Sequence, residues 1–110
     1  MEGGQVRRRP GLDLNHRAIV SGLRAAGCSV LDLSSVGGGC PDILVGARGR
    51  DHLLEIKHLT NGKLTPGAKK SAVGQKEWHD RWRGHPVRVV YSLHEALNAV
   101  GIRTAPPKGE

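Results

Sequence analysis

Phenylalanine is absent from the chain, and only Trp78, Trp82 and Tyr91 are aromatic. So few aromatic side chains argue against a broad stacking platform for bases. Cysteine is scarce as well. Cys28 and Cys40 are too few for a disulfide framework and lack the CxxC spacing of a zinc site, so both read as buried or half-buried structural thiols. No stretch approaches the run of about twenty apolar residues that spans a membrane, and "MEGGQVRRRPG" has no apolar segment of a signal peptide. The expectation is an intracellular, cytoplasmic protein with no membrane partner.

Acidic residues are outnumbered, ten Asp and Glu against seventeen Lys and Arg, which leaves a formal charge of +7. A surface of that sign favours polyanions, nucleic acid first among them. A ribosome-associated or merely soluble basic protein has the same balance. The 110 residues suffice for one core and one domain.

Residues 1–12, with Arg7, Arg8 and Arg9, read as a flexible basic arm that can touch phosphates; 13–102 read as the folded domain and 103–110 as a disordered tail. Asp13 is a candidate cap for a helix over 14–26, with Ile19, Gly22, Leu23 and Ala26 on one face. Strands are predicted over 29–33, 43–45 and 52–56, the last two joined by the turn "GARGRD". A long polar link spans 58–74. A helix over 75–83 carries Gln75, Trp78, His79 and Trp82 at spacings of three and four, with the tryptophans as core anchors. A strand over 87–91 follows, and "SLHE" opens a last helix to about Val100 with capping-box spacing. The order α-β-β-β-α-β-α implies an α/β layer fold.

The stretch "GGGCPDILVGARGRDHLLEIK", Gly37 to Lys57, sets Asp42, Glu55 and Lys57 among residues suited to buried strands. With a four-residue loop over 47–50, antiparallel pairing brings 42 opposite 55, with Cβ atoms roughly 4.5 to 5.5 Å apart. A two-residue loop at Gly49-Arg50 instead puts Glu55 opposite Leu44. In either register Glu55 and Lys57 share a face. Two carboxylates so close repel by roughly 4 kcal/mol at an effective dielectric of 20. A divalent cation relieves that conflict, because Mg²⁺ prefers hard oxygen ligands and keeps several waters available for chemistry, one of which Lys57 is placed to orient or deprotonate. That arrangement suits phosphodiester hydrolysis. The bland alternative makes Asp42 a turn residue after Pro41 and "EIK" the solvent face of an edge strand.

Gly39-Cys40-Pro41-Asp42 at hairpin distance from "LLEIK", followed by "QKEWHDRW" and "VRVVYS", resembles the PD-(D/E)xK nuclease signature. Over residues 13–101 the chain is similar to the small Holliday-junction-resolvase-like and VRR-NUC-type endonucleases of phages and prophages. The resemblance implies a restriction-endonuclease-like mixed sheet flanked by helices. It implies Asp42 and Glu55 as ligands of Mg²⁺ or Mn²⁺, the Ile56 carbonyl as a further ligand, Lys57 as the assistant of the attacking water, and Gln75 as support on the following helix. The implied substrate is DNA, branched DNA in particular, cut by a homodimer because resolving a junction takes two symmetric cuts.

The chain departs from this pattern in two places. The first helix offers no glutamate, with Ala18 in its first turns and Asp13 the only nearby acid, and the link before Gln75 is long. Lys63, Lys69, Lys70 and Lys76 are candidate contacts to the DNA backbone, or a solvated basic loop. His58 reads as a strand-end residue on the opposite face from Lys57, and His79 as packing or a phosphate contact. The competing expectation is a basic DNA-binding protein that keeps the fold and cuts nothing, with a ribonuclease or RNA-binding domain third.

Overall fold

The computed structural model describes residues 10–60, 63–64 and 66–103, with side chains at 14–59, 63 and 74–103. A four-stranded mixed sheet is flanked by three helices. In chain order the elements are α1 (Pro10–Ala25), β1 (Ser29–Asp32), β2 (Ile43–Ala47), β3 (Arg50–Ile56), β4 (Leu59–Thr60), β5 (Lys63–Leu64), α2 (Pro66–Arg81), β6 (Arg88–Val90) and α3 (Leu93–Ala99). The strand order is β1-β2-β3-β6; β1, β2 and β3 form an antiparallel meander and β6 runs parallel to β3.

Strict alternation sorts the side chains of β2 and β3 between two layers. Ile43, Val45 and Leu54 are fully buried with Ile19 and Leu23 of α1 and with Ala96, Leu97 and Val100 at and after α3. Helices α1 and α3 pack on each other, α1 on β1 and α3 on β6. Leu44, Leu53 and Glu55 point to the other face, which α2 reaches at Gln75.

The register is Ile43↔Leu54, Leu44↔Leu53 and onward to Ala47↔Arg50. It brings position 42 opposite 55, although the loop is shorter than the four residues expected. Arg48 (φ 54°) and Gly49 (φ 80°) form a two-residue turn with positive φ at both positions, which matches the right-handed twist of the strands. The slipped register with its loop at Gly49-Arg50 is not adopted.

Helix α1 begins at Pro10, so Asp13 lies inside it rather than capping it, and the expected arm loses its last three residues to the helix. Pro suits a first helical turn, where its missing N–H has no partner to lose. The same rule corrects the long link. It holds the β4–β5 pair, and α2 starts at Pro66, nine residues ahead of Gln75. Two strands are therefore inserted in the expected order, and α2 ends at Arg81 rather than 83. At α3, Ser92 accepts from the Glu95 N–H (3.1 Å), while Glu95 Oε1 accepts from the Tyr91 N–H (2.8 Å) rather than from that of Ser92. The expected tail, apart from Arg103, lies outside the described residues.

Candidate active site

Asp42 sits where the chain enters β2, and it extends both neighbouring ladders. Its N–H donates to the Leu54 carbonyl (3.1 Å) and its own carbonyl accepts from Leu33 N–H (2.7 Å). Its side chain is fixed as well, since Oδ2 accepts from the Ile56 N–H (2.7 Å). Ile56 thus touches Asp42 through its backbone, while its side chain packs on the core.

Glu55 and Lys57 are both buried, at 2 % and 9 % exposure. Lys57 Nζ lies 3.8 Å from Glu55 Oε2. Gln75 bridges them from α2. Its Nε2 donates to Glu55 Oε2 (2.7 Å) and its Oε1 accepts from Lys57 Nζ. The backbone of Lys57 is tied to β6 through Val90 O (3.0 Å) and to α1 through Asn15 Nδ2 (3.1 Å), which also reaches Tyr91 O at 3.5 Å.

Helix α2 can come this close because of Gly39. There φ is +87°, and a Cβ would collide with the Gly74 carbonyl oxygen and press on Trp78 Cβ at 3.1 Å. The GGG segment therefore provides the close backbone approach beside Asp42 that α2 needs.

Burial is the main cause that lifts Glu55 from 4.5 to about 8. The Asp42 charge and proton sharing with Asp42 add to it, and together they outweigh Lys57 and Gln75, which pull the other way. Glu55 Oε1 is buried without a hydrogen-bond partner in the observed geometry. A carboxylate pair with one unpartnered oxygen is a hard-oxygen donor set, and it fits a divalent cation such as Mg²⁺ or Mn²⁺. Among the described residues no group of three or more His, Cys, Asp or Glu is arranged to hold a metal. Asp42 and Glu55 are the side chains that could do so here.

The four residues expected at the centre of the site, Asp42, Glu55, Lys57 and Gln75, are brought together, and Ile56 with them. Of the expected nucleic-acid contacts, Lys63 and Lys76 have described side chains. Arg7, Arg8 and Arg9 lie outside the described residues, as do the side chains of Lys69 and Lys70. Lys63 is exposed on β5. Lys76 is exposed on α2 and pairs with Asp80 at 2.8 Å.

The two tryptophans are not the core anchors expected. Their rings stack on each other at 4.8 Å and 16°, and Trp82 is 44 % exposed. They line a cleft of about 790 Å³ between α2 and the sheet.

Asn15 was passed over, and His79 and Cys40 carry features beyond the readings given them. Asn15 ties the first helix to the end of β3. His79 has its Nε2 buried and unpartnered, and burial together with the Lys57 charge holds its pKa down. Cys40 feels the charges of both carboxylates, which with burial raise its thiol pKa. Pro41 between Cys40 and Asp42 gave no spacing signal for that closeness.

Among the described residues no helix is long and apolar enough to cross a membrane. No protein family, curated protein or solved structure matches the chain.

Proposed function

We propose that this protein is a divalent-metal-dependent endonuclease of the PD-(D/E)xK kind, acting on DNA. The observation that carries the reading is the cluster in which buried Glu55 and Lys57 meet half-buried Asp42 and Gln75, with Glu55 Oε1 left without a hydrogen-bond partner. Such a cluster is a poor device for stability, because burying charges costs more than the pair returns. A strongly perturbed carboxyl beside a cleft is instead a mark of function.

In this reading Asp42 and Glu55 hold Mg²⁺ or Mn²⁺, with the Ile56 carbonyl as a further ligand. The ion when bound supplies positive charge against the phosphate. Lys57, its Nζ fixed by Gln75, orients the water that adds to phosphorus. One P–O ester bond breaks as the new P–O bond forms, leaving a phosphate monoester and a hydroxyl. The Ile56 N–H holds Asp42 in place, and Asn15 fixes the turn of chain that carries Lys57.

The test is cleavage of labelled four-way junction, fork and linear duplex in Mg²⁺, Mn²⁺ and EDTA. Metal-dependent cleavage is expected, and Asp42→Ala or Glu55→Ala should abolish it while DNA binding persists. Full activity in both variants would reject the assignment. Symmetric nicking of the junction would support branched DNA as substrate and a C2 homodimer as the working form.

One observation favours a second reading, a DNA-binding protein that cuts nothing. The described residue by which the first helix reaches the end of β3 is Asn15, an amide and not an acid, so among the described side chains the helix brings no further carboxylate to the cluster. Retarded DNA with no cleavage in either metal is the outcome that reading expects.

A further inference from the structure

The side chains of Asp51, Leu53 and Glu55 follow one another along a single face of β3, with Lys57 just past its end. At about 3.3 Å of rise per residue, Leu53 lies roughly 7 Å from Glu55. Leu53 and its cross-strand partner Leu44 form the floor of the 790 Å³ cleft. Its wall is the stacked pair Trp78 and Trp82, and Arg50 and Asp51 also line it. The carboxylate pair is therefore one step along the strand from an apolar, aromatic-walled pocket whose polar lining includes Asp51 and His85.

We propose that this cleft receives an unstacked nucleobase from the DNA strand whose phosphate lies at Glu55 and Lys57; the proposal rests on the nuclease reading of that site. The chemistry of the walls matches the ligand part by part. Flat apolar base faces meet leucine on one side and indole on the other, while base edges meet Asp51 and His85. The volume is in the range of small-ligand pockets, which are mostly apolar with a few polar groups that fix orientation. A second copy of the chain is a poorer occupant, because a stable dimer covers roughly 800 Å² on each partner and this is a narrow cleft between one helix and the sheet. In a paired duplex both faces of each base are already stacked. The pocket therefore selects DNA with an unpaired nucleotide at or beside the scissile phosphate, such as a junction, fork or bulge.

Trp78 and Trp82 are the chain's two tryptophans, so intrinsic emission reads the cleft directly. The full-length protein in EDTA would be titrated with three duplexes of one sequence, fully paired, with a single bulged adenine, or with an abasic bulge at the same place. The adenine bulge should quench the emission and bind about tenfold or more tightly than the abasic one, the range that stacking on an aromatic gives. Trp82→Ala should erase that difference and Trp82→Tyr should keep it, with circular dichroism checking that both fold. Equal binding of the adenine and abasic bulges by the wild type overturns the proposal. So does an emission change that follows protein concentration without DNA, which would assign the cleft to a second copy. Failure of the nuclease reading has a different signature: no substrate is cut in Mg²⁺ or Mn²⁺, whatever the bulge does to emission.

Discussion

At the residue scale, Glu55 is the group whose charge state matters most. Its pKa in the folded chain is about 8 against an ordinary 4.5, so between those values the native state holds a proton that the unfolded state has released. Stability of the metal-free protein is therefore greatest at the acid end of that window and falls as pH rises through it. Glu55→Gln, which cannot ionise, should unfold at higher denaturant concentration than the wild type at pH 8.5, because it has no carboxylate to ionise in a buried site. A urea titration at pH 5 and pH 8.5 checks this, and an advantage that does not grow with pH would contradict it.

The acid and lysine of this cluster were legible in the sequence because charge interrupted an apolar alternation. Asn15 was not, since a single amide at the start of a helical stripe looks like a helix-end residue until β3 and β6 meet beneath it. The tryptophans misled for a related reason: spacings of three and four report a shared face, and not whether that face is covered.

At the scale of elements, the meander β1 to β3 was readable because its strands are short, apolar and separated by glycine-rich turns. Helix α2 was half-hidden. Its sequence "PGAKKSAVGQKEWHDR" carries glycine at 67 and 74 and few apolar residues, so periodicity emerges only near Trp78. Packing decides the rest, and the decisive contact is Gly39 against Gly74. Gly39→Ala forces a positive-φ residue to carry a Cβ and drives it into the Gly74 carbonyl. It should cost about 1–3 kcal/mol, lower the melting temperature by several degrees and pull Gln75 off Lys57. Far greater loss of cleavage than of stability is the expected pattern, and a variant with unchanged melting and cleavage would show that α2 is not held at this point.

For the whole molecule, charge and titration set the conditions of use. If DNA is the partner, a net charge of +7 engages its phosphates, and the logarithm of DNA affinity should fall linearly with the logarithm of salt concentration. Anisotropy titrations between 50 and 200 mM salt, on the order of the range where the effect is large, give the number of phosphates engaged. A slope near zero would remove DNA as the partner.

His52 adds an opposing pH term. Burial first, and then the charges of His85 and Arg50, hold its pKa below the ordinary 6.5. Neither of its ring nitrogens has a hydrogen-bond partner. The unfolded chain takes up this proton before the folded one, so the His52 contribution is intact above pH 6.5 and is lost as pH falls below it. In the Glu55→Gln background, the melting temperature should drop from pH 7 to pH 5, and His52→Leu should flatten that drop, with His79 supplying what remains.

The turn at Arg48-Gly49 and the crossover from β3 to β6 also set an order of assembly. Thirteen positions and a two-residue turn separate Asp42 from Glu55, so a local hairpin, which closes within microseconds, can bring the acids together. The Lys57 N–H gains its partner only when Val90 arrives from the far side of α2, a long-range pairing of the slower kind. A chain still being synthesised can thus hold its acid pair before its lysine is fixed, and the last strand to dock completes the site.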